Sequence, residues 1–214
     1  WGGSGGLGTM AIQICKAAGA NAIAVVSSAE KGEHCLRMGA KAYLNRKDFD
    51  CWGALPDTTD AVTYGAYIKR VKAFGKALWA ITGGVDIDMV FEHPGEQTFP
   101  VSCYLVRRGG MVVFCAGTTG YNLSFDARYV WMRQKRVQGS HFASKHEADE
   151  ANHLVMDGKI TTGLSQAFDF DALATPHALM LDNRHPPGNM VVRINATAPD
   201  QHNLAESIAA QAAP

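Results

Sequence analysis

A chain of 214 residues, 47% apolar and 19% charged, is long enough to bury a core as one large domain or two small ones. Its 20 Lys and Arg balance 20 Asp and Glu, which excludes the broad basic field that draws a protein to nucleic acid or acidic lipid. No run of about 18 apolar residues occurs, so the chain reads as globular, with neither a nucleic-acid nor a membrane partner.

The chain opens on "WGGSGGLGTMAIQICKAAGA", in which Gly3, Gly5 and Gly8 have the GxGxxG spacing and Ala11, Ile14, Cys15 and Ala18 recur at helical spacing. Glycines there permit a tight turn, backbone approach to a pyrophosphate and close packing of helix on strand, with the helix N-terminus facing the anion. Gly3, Ser4, Gly5, Gly6, Leu7 and Gly8 therefore form the expected pyrophosphate loop. Trp1 reads as the last residue of a strand whose remainder lies upstream, and the missing initiator methionine marks the chain as a piece of something longer.

Residues 22–26, "AIAVV", predict a buried parallel strand, followed by a helix in "AEKGEHCLRMGA" and a third strand in "KAYLN". An acidic residue at the end of the second strand would grip the ribose hydroxyls of NAD; Ser27 and Ser28 stand there instead, with Lys31 just beyond. Hydroxyls and a cation accept a 2′-phosphate that an Asp would repel, which favours NADPH. Ser28 equally suits an N-cap of the helix carrying Glu30 and Lys31.

Residues 46–84 form a long connection whose second half puts Ile68, Val71, Leu78 and Trp79 on one helical face and Lys69, Lys72 and Lys76 on another, an ordered helical insertion with a basic stripe. Strands follow at residues 85–91 and 110–117, with a helix in "TFPVSCYLVRR" between them. Glu92 and His93, in "FEHPG", sit at a strand's C-terminal end, beside the nicotinamide ribose; a turn set by Pro94 and Gly95 accounts for them equally. Cys115, at the end of the fifth strand, lines the nicotinamide pocket or serves as a small buried residue.

The last third predicts a strand in "KRVQGSHFA", a helix in "KHEADEANHLVMDGK", extended chain in "LSQAFDF", a helix near "DALATPHALMLDN" and a strand in "NMVVRIN", then a polar Ala-rich tail. "HEADE" ends in Glu150 where a second ligating His would stand, and reads as a solvated face with no metal. Cys15, Cys35, Cys51, Cys103 and Cys115 are scattered, odd in number and without a CxxC pair, which points to a reducing, cytoplasmic setting. Alternating strands and helices give the fold class: α/β, a Rossmann-type doubly wound parallel sheet with a helical insertion between the third and fourth strands.

"GGSGGLG", "VVSSAEKGEHCLRMGAK", "NRKDFDCWG", "FEHPG", "RYVWMRQKRVQGSHFA" and "ANHLVMDGKI" together closely resemble the crotonyl-CoA carboxylase/reductase family of the medium-chain dehydrogenase/reductase superfamily, over residues 1 to about 194. The resemblance implies an NADPH-dependent enzyme that reduces a 2-enoyl-CoA and adds carbon dioxide at the α-carbon. It implies residues 1–160 as the NADPH-binding domain, residues 161–195 returning to a GroES-like N-terminal catalytic domain absent from this sequence, residues 196–214 as a tail, and a homo-oligomer, dimer or tetramer. It places a carbon dioxide-orienting role on His141, coenzyme A contacts on Lys72, Tyr104, Arg128 and Tyr129, and Arg46 with the cofactor set. A non-carboxylating enoyl or quinone reductase and a non-catalytic dinucleotide-binding module are the alternative readings.

Overall fold

The computed structural model describes residues 1–194, so the tail expected over residues 196–214 lies outside the described residues. The chain divides into two compact units, one made of Trp1–Gly2, Val25–Ala29 and Leu44–Phe142, the other of Gly3–Ala24, Glu30–Tyr43 and the described chain from Ala143. Strands β1 (Ile23–Val26) and β2 (Ala42–Asn45) pair with each other.

The first unit is organised by three parallel strands, β3 (Ile87–Glu92), β4 (Val106–Phe114) and β5 (Arg136–Gly139), in that order. Phe91 lies opposite Val113, which lies opposite Gln138. Helix α3 (Ala61–Thr82) precedes β3; Asp60 caps its first turn by accepting from the N–H groups of Val62 and Thr63, and Gly83, at φ 70°, ends it in the left-handed conformation glycine tolerates. Its buried positions are Tyr67, Val71, Phe74 and Leu78, a 4-3-4 spacing that puts one stripe against the core. Trp79, expected on that stripe, is instead 49% exposed and donates its indole N–H to Asp86 at 2.8 Å. Phe74 takes its place by packing against Trp1, Phe49 and Trp52, with ring centroids 5.0–5.7 Å away.

Helix α4 (Phe99–Leu105) is shorter than "TFPVSCYLVRR" predicts: the backbone turns extended at Val106, so Arg107 and Arg108 belong to β4. Phe99 and Cys103 from α4 join Val106 and Val112 from β4 in the core, with Phe125 and Val130 packed alongside. Helix α5 (Ala127–Trp131) follows, and the strand expected through "KRVQGSHFA" stops at Gly139.

The second unit holds α1 (Gly6–Ala17), α2 (Ala29–Met38, from Glu30 onward), α6 (Lys145–Met156), β6 (Leu164–Asp169), α7 (Ala174–Leu181) and β7 (Asn189–Arg193), with β6 and β7 parallel. The buried Gln13 side chain of α1 accepts from Thr161 N at 2.8 Å and donates to Thr161 O at 3.1 Å, pinning the helix to the segment that leads into β6. Helix α6 begins with a reciprocal capping box between Ser144 and Glu147.

Candidate cofactor and substrate site

The expected pyrophosphate loop opens α1, with Gly5 at the N-cap position and no side chain capping it. The first-turn N–H groups of a helix lack intrahelical acceptors, and their dipoles favour an anion. Glycine is required here by close approach. A Cβ on Gly3 would lie 2.7 Å from Ala24 Cβ and 3.2 Å from Cys35 Sγ, and one on Gly6 would meet the side chain of Asn189. Ser4 is buried and its carbonyl accepts from Gly188 N at 3.0 Å, while Leu7 is exposed and Gly8 buried.

Ser27 and Ser28 directly follow β1, are half-buried, and lie in the first unit; Lys31, also half-buried, lies on α2 in the second. Arg46 is exposed at the start of a single 3-10 turn, Arg46–Asp48, and its carbonyl accepts from the Trp52 indole at 3.0 Å. The sequence therefore puts the cofactor residues on two different units, with Gly3 to Gly8 and Lys31 in one and Ser27, Ser28, Arg46, Glu92 and Cys115 in the other.

Glu92 ends β3 as expected but is fully buried, and its carboxyl oxygens are taken inside the fold. Oε1 accepts from Gly95 N at 3.1 Å and Thr98 Oγ1 at 2.6 Å; Oε2 accepts from Ser102 Oγ at 2.5 Å, which in turn accepts from the Trp1 indole at 2.7 Å. A carboxylate with three protein donors holds the turn after β3 and the start of α4. Gly95, at φ 92°, makes the turn, and the backbone of Thr118 and Thr119 closes onto His93 and Pro94. His93 Nε2 bonds the Trp1 carbonyl at 2.8 Å, and burial holds its pKa below the ordinary imidazole value. A Cβ on Gly2, at φ 60°, would lie 2.6 Å from that ring nitrogen. Cys115, expected to line the nicotinamide pocket or to be a small buried residue, is exposed: β4 stops at Phe114, so its side chain falls beyond the packed strand, which overturns the buried reading.

Three of the four expected coenzyme A contacts come together. Lys72, Tyr104 and Tyr129 line a cavity of about 340 Å³ with Lys76, Trp79, Asp86 and Arg133. The Tyr104 and Tyr129 rings are 4.6 Å apart between centroids, and the Arg133 guanidinium lies 5.9 Å from the Tyr129 ring. Arg128 does not line this cavity. Its Nε and Nη2 bond the buried Asp126 carboxylate at 2.7–3.2 Å, which holds the Asp126 pKa down at about 2. Sequence reading missed Arg133, and it noted Lys76 only as part of a stripe; the stripe's i, i+4 spacing from Lys72 is the one signal that pointed to Lys76.

His141 lies exposed past the end of β5, its ring centroid 4.0 Å from that of Phe142, outside the sheet interior. Phe142 has φ 58°, rare for an aromatic residue. Among the described residues no three His, Cys, Asp or Glu side chains gather as a metal site.

The family model for zinc-binding dehydrogenases matches residues 6–157. The chain belongs to that family. The described side chains offer no ligand set for the metal in the family's name. The chain is 51% identical over 197 residues to crotonyl-CoA carboxylase/reductase of Cereibacter sphaeroides, covering 92% of this chain and 46% of that relative. Among solved structures it is similar to crotonyl-CoA carboxylase/reductase AntE in complex with NADP, with 48% identity, TM-score 0.90, and coverage of 92% of this chain and 49% of that one. It is also similar to the 2-octenoyl-CoA carboxylase reductase CinF in complex with NADP and 2-octenoyl-CoA, with 33% identity, TM-score 0.80, and coverage of 99% and 46%. The resemblance read from the motifs and the Rossmann-type parallel α/β fold are thus borne out. The chain spans about half the length of these proteins.

Proposed function

We propose that this chain is the cofactor-binding part of an NADPH-dependent 2-enoyl-CoA carboxylase/reductase. The observation that carries the reading is the cavity lined by Lys72, Lys76, Arg133, Tyr104 and Tyr129, since a glycine loop alone suits any dinucleotide enzyme. Cations offset the phosphates of coenzyme A and the tyrosine faces suit its adenine. In this reading Gly3 to Gly8 and the start of α1 hold the pyrophosphate, and Ser27, Ser28, Lys31 and Arg46 select the 2′-phosphate. When bound, NADPH supplies the hydride added at the enoyl β-carbon. The substrate's α-carbon, made nucleophilic by that addition, attacks carbon dioxide, which the exposed His141 orients through its ring N–H. Glu92 and His93 fix the chain at the end of β3, and Cys115 borders the nicotinamide side.

Residues 1–160 are proposed as the NADPH-binding domain and residues 161–195 as part of the catalytic domain, whose remainder belongs to the other half of the enzyme. The assembled protein is a homo-oligomer acting in the cytoplasm; no helix among the described residues is long and apolar enough to cross a membrane. The test is an assay of the full-length enzyme with crotonyl-CoA, NADPH or NADH, with and without bicarbonate. The expected product is ethylmalonyl-CoA, formed with NADPH. Oxidation of NADPH indifferent to bicarbonate and yielding only butyryl-CoA would refute carboxylation, and quinone-dependent oxidation without a CoA ester would refute the substrate class.

A further inference from the structure

Arg128 differs from the other cations of the first unit in being held by a buried acid. Asp126 has a side chain only 6% exposed, against 57% for Arg128. It accepts from Arg128 Nε at 2.9 and 3.2 Å and from Nη2 at 2.7 Å. The same carboxylate accepts from Tyr64 Oη at 2.5 Å, and the Tyr64 ring lies 5.7 Å from the guanidinium carbon. Asp126 also caps α5 by accepting from Arg128 N at 3.0 Å.

A guanidinium has five N–H donors in a planar fork. The Asp126 contacts use the Nε edge, which leaves both N–H groups of Nη1 and the outer one of Nη2 on the opposite edge. We propose that Asp126 and Tyr64 are positioning residues that fix the Arg128 fork so that this opposite edge binds a phosphate group of coenzyme A. The proposal rests on the reading of Arg128 as a coenzyme A contact.

Two effects oppose each other. The carboxylate places negative charge behind the guanidinium and weakens the field a phosphate meets, whereas it removes the rotamer freedom that an exposed Arg side chain loses on binding. The carboxylate already accepts from Tyr64 and from the start of α5, so its charge is spread over donors away from the incoming phosphate, and Lys72, Lys76 and Arg133 supply positive charge in the same unit. Fixing the fork is therefore the larger effect.

The experiment compares KM and kcat of the full-length enzyme for crotonyl-CoA and for crotonyl-pantetheine, which lacks the nucleotide and its phosphates. Asp126→Asn keeps a good helix N-cap and is expected to raise KM for crotonyl-CoA about tenfold, with kcat and KM for crotonyl-pantetheine unchanged. Tyr64→Phe, which keeps the ring under the guanidinium, is expected to raise the same KM about threefold, and it decides the matter alone if Asp126→Asn does not fold. Arg128→Ala is the reference. If it raises KM for crotonyl-CoA while Asp126→Asn and Tyr64→Phe leave it unchanged or lower it, the positioning role is overturned. If Arg128→Ala leaves KM unchanged, the coenzyme A reading of Arg128 falls, and the positioning role with it. Equal losses with both esters would make Asp126 a structural support only and overturn the proposal.

Discussion

Glu92→Gln separates a ligand contact from a structural anchor. The carboxylate takes three donors, Gly95 N, Thr98 Oγ1 and Ser102 Oγ, at 2.5–3.1 Å in a fully buried site. Glutamine keeps one acceptor oxygen, enough for Gly95 and Thr98, but turns an NH2 toward Ser102 Oγ, which already accepts from the Trp1 indole. One charge-assisted bond is lost and the Ser102 hydroxyl must find another acceptor, a loss of about 2 kcal/mol. At about 4–8 °C per kcal/mol for a unit of this size, that corresponds to a fall of about 8–16 °C in the melting temperature. Unfolding of the full-length protein followed by tryptophan fluorescence suits the test, because Trp1 belongs to the network and stacks on Phe74. Isothermal titration of NADPH supplies the second measurement, with Kd expected to rise by less than threefold. A variant with unchanged stability and a Kd raised tenfold or more would show Glu92 to be a direct ribose ligand and refute the structural argument.

Gly3→Ala places a methyl 2.7 Å from Ala24 Cβ, a short-stemmed neighbour that cannot swing aside; it is expected to lose about 1–3 kcal/mol of stability and to weaken NADPH binding at least tenfold by displacing the start of α1, and a variant binding NADPH normally would refute the close-approach argument. Tyr67→Phe removes a buried hydroxyl that lacks a hydrogen-bond partner among the described residues; denaturant unfolding should show no loss or a gain of about 1 kcal/mol, and a clear loss would mean the hydroxyl is bonded to ordered water. The Asp126 pKa lies at about 2, below its ordinary value, so its ion pair contributes above pH 4 and is lost as pH falls toward 2. The stability gap between wild type and Asp126→Asn should accordingly shrink over that acid range, and a gap independent of pH would refute this. His141→Ala should shift product from ethylmalonyl-CoA toward butyryl-CoA while NADPH oxidation persists; an unchanged product ratio would remove His141 from the carbon dioxide site.

What could be read from the sequence depended on whether the signal was local. The glycine spacing, the apolar run of β1 and the helix over residues 61–82 are local patterns, and each produced the expected element. The face of α3 was partly misread, because Phe74 and Trp79 are both aromatic and only the tertiary cluster of Trp1, Phe49 and Trp52 decides that Phe74 is the buried one. Glu92 drew attention as a charged residue at a strand end, yet the donors that absorb its charge stand three, six and ten positions later. Their meaning depends on the turn at Gly95 delivering α4 back onto the carboxylate. Tyr64 and Asp126, 62 positions apart, carry no sequence signal of their partnership at all.

The first unit's cavity and its buried polar network are joined through α4. A seven-residue helix has little stability of its own. At its start the Glu92 carboxylate binds Thr98 and Ser102, and at its end the buried Lys135 ammonium donates to the carbonyls of Cys103 and Tyr104, both at 2.8 Å. Negative charge at the N-terminus and positive charge at the C-terminus match the helix dipole. Burial pulls the Lys135 pKa down to about 8, so its charge is retained at neutral pH and fades as the solution becomes alkaline. The residue fixed between these anchors is Tyr104, whose ring packs on Tyr129 in the cavity wall. Two buried ionisable groups thus set the position of the Tyr104 ring in the cavity wall. Loosening either anchor should therefore change coenzyme A affinity before it changes the chemical step.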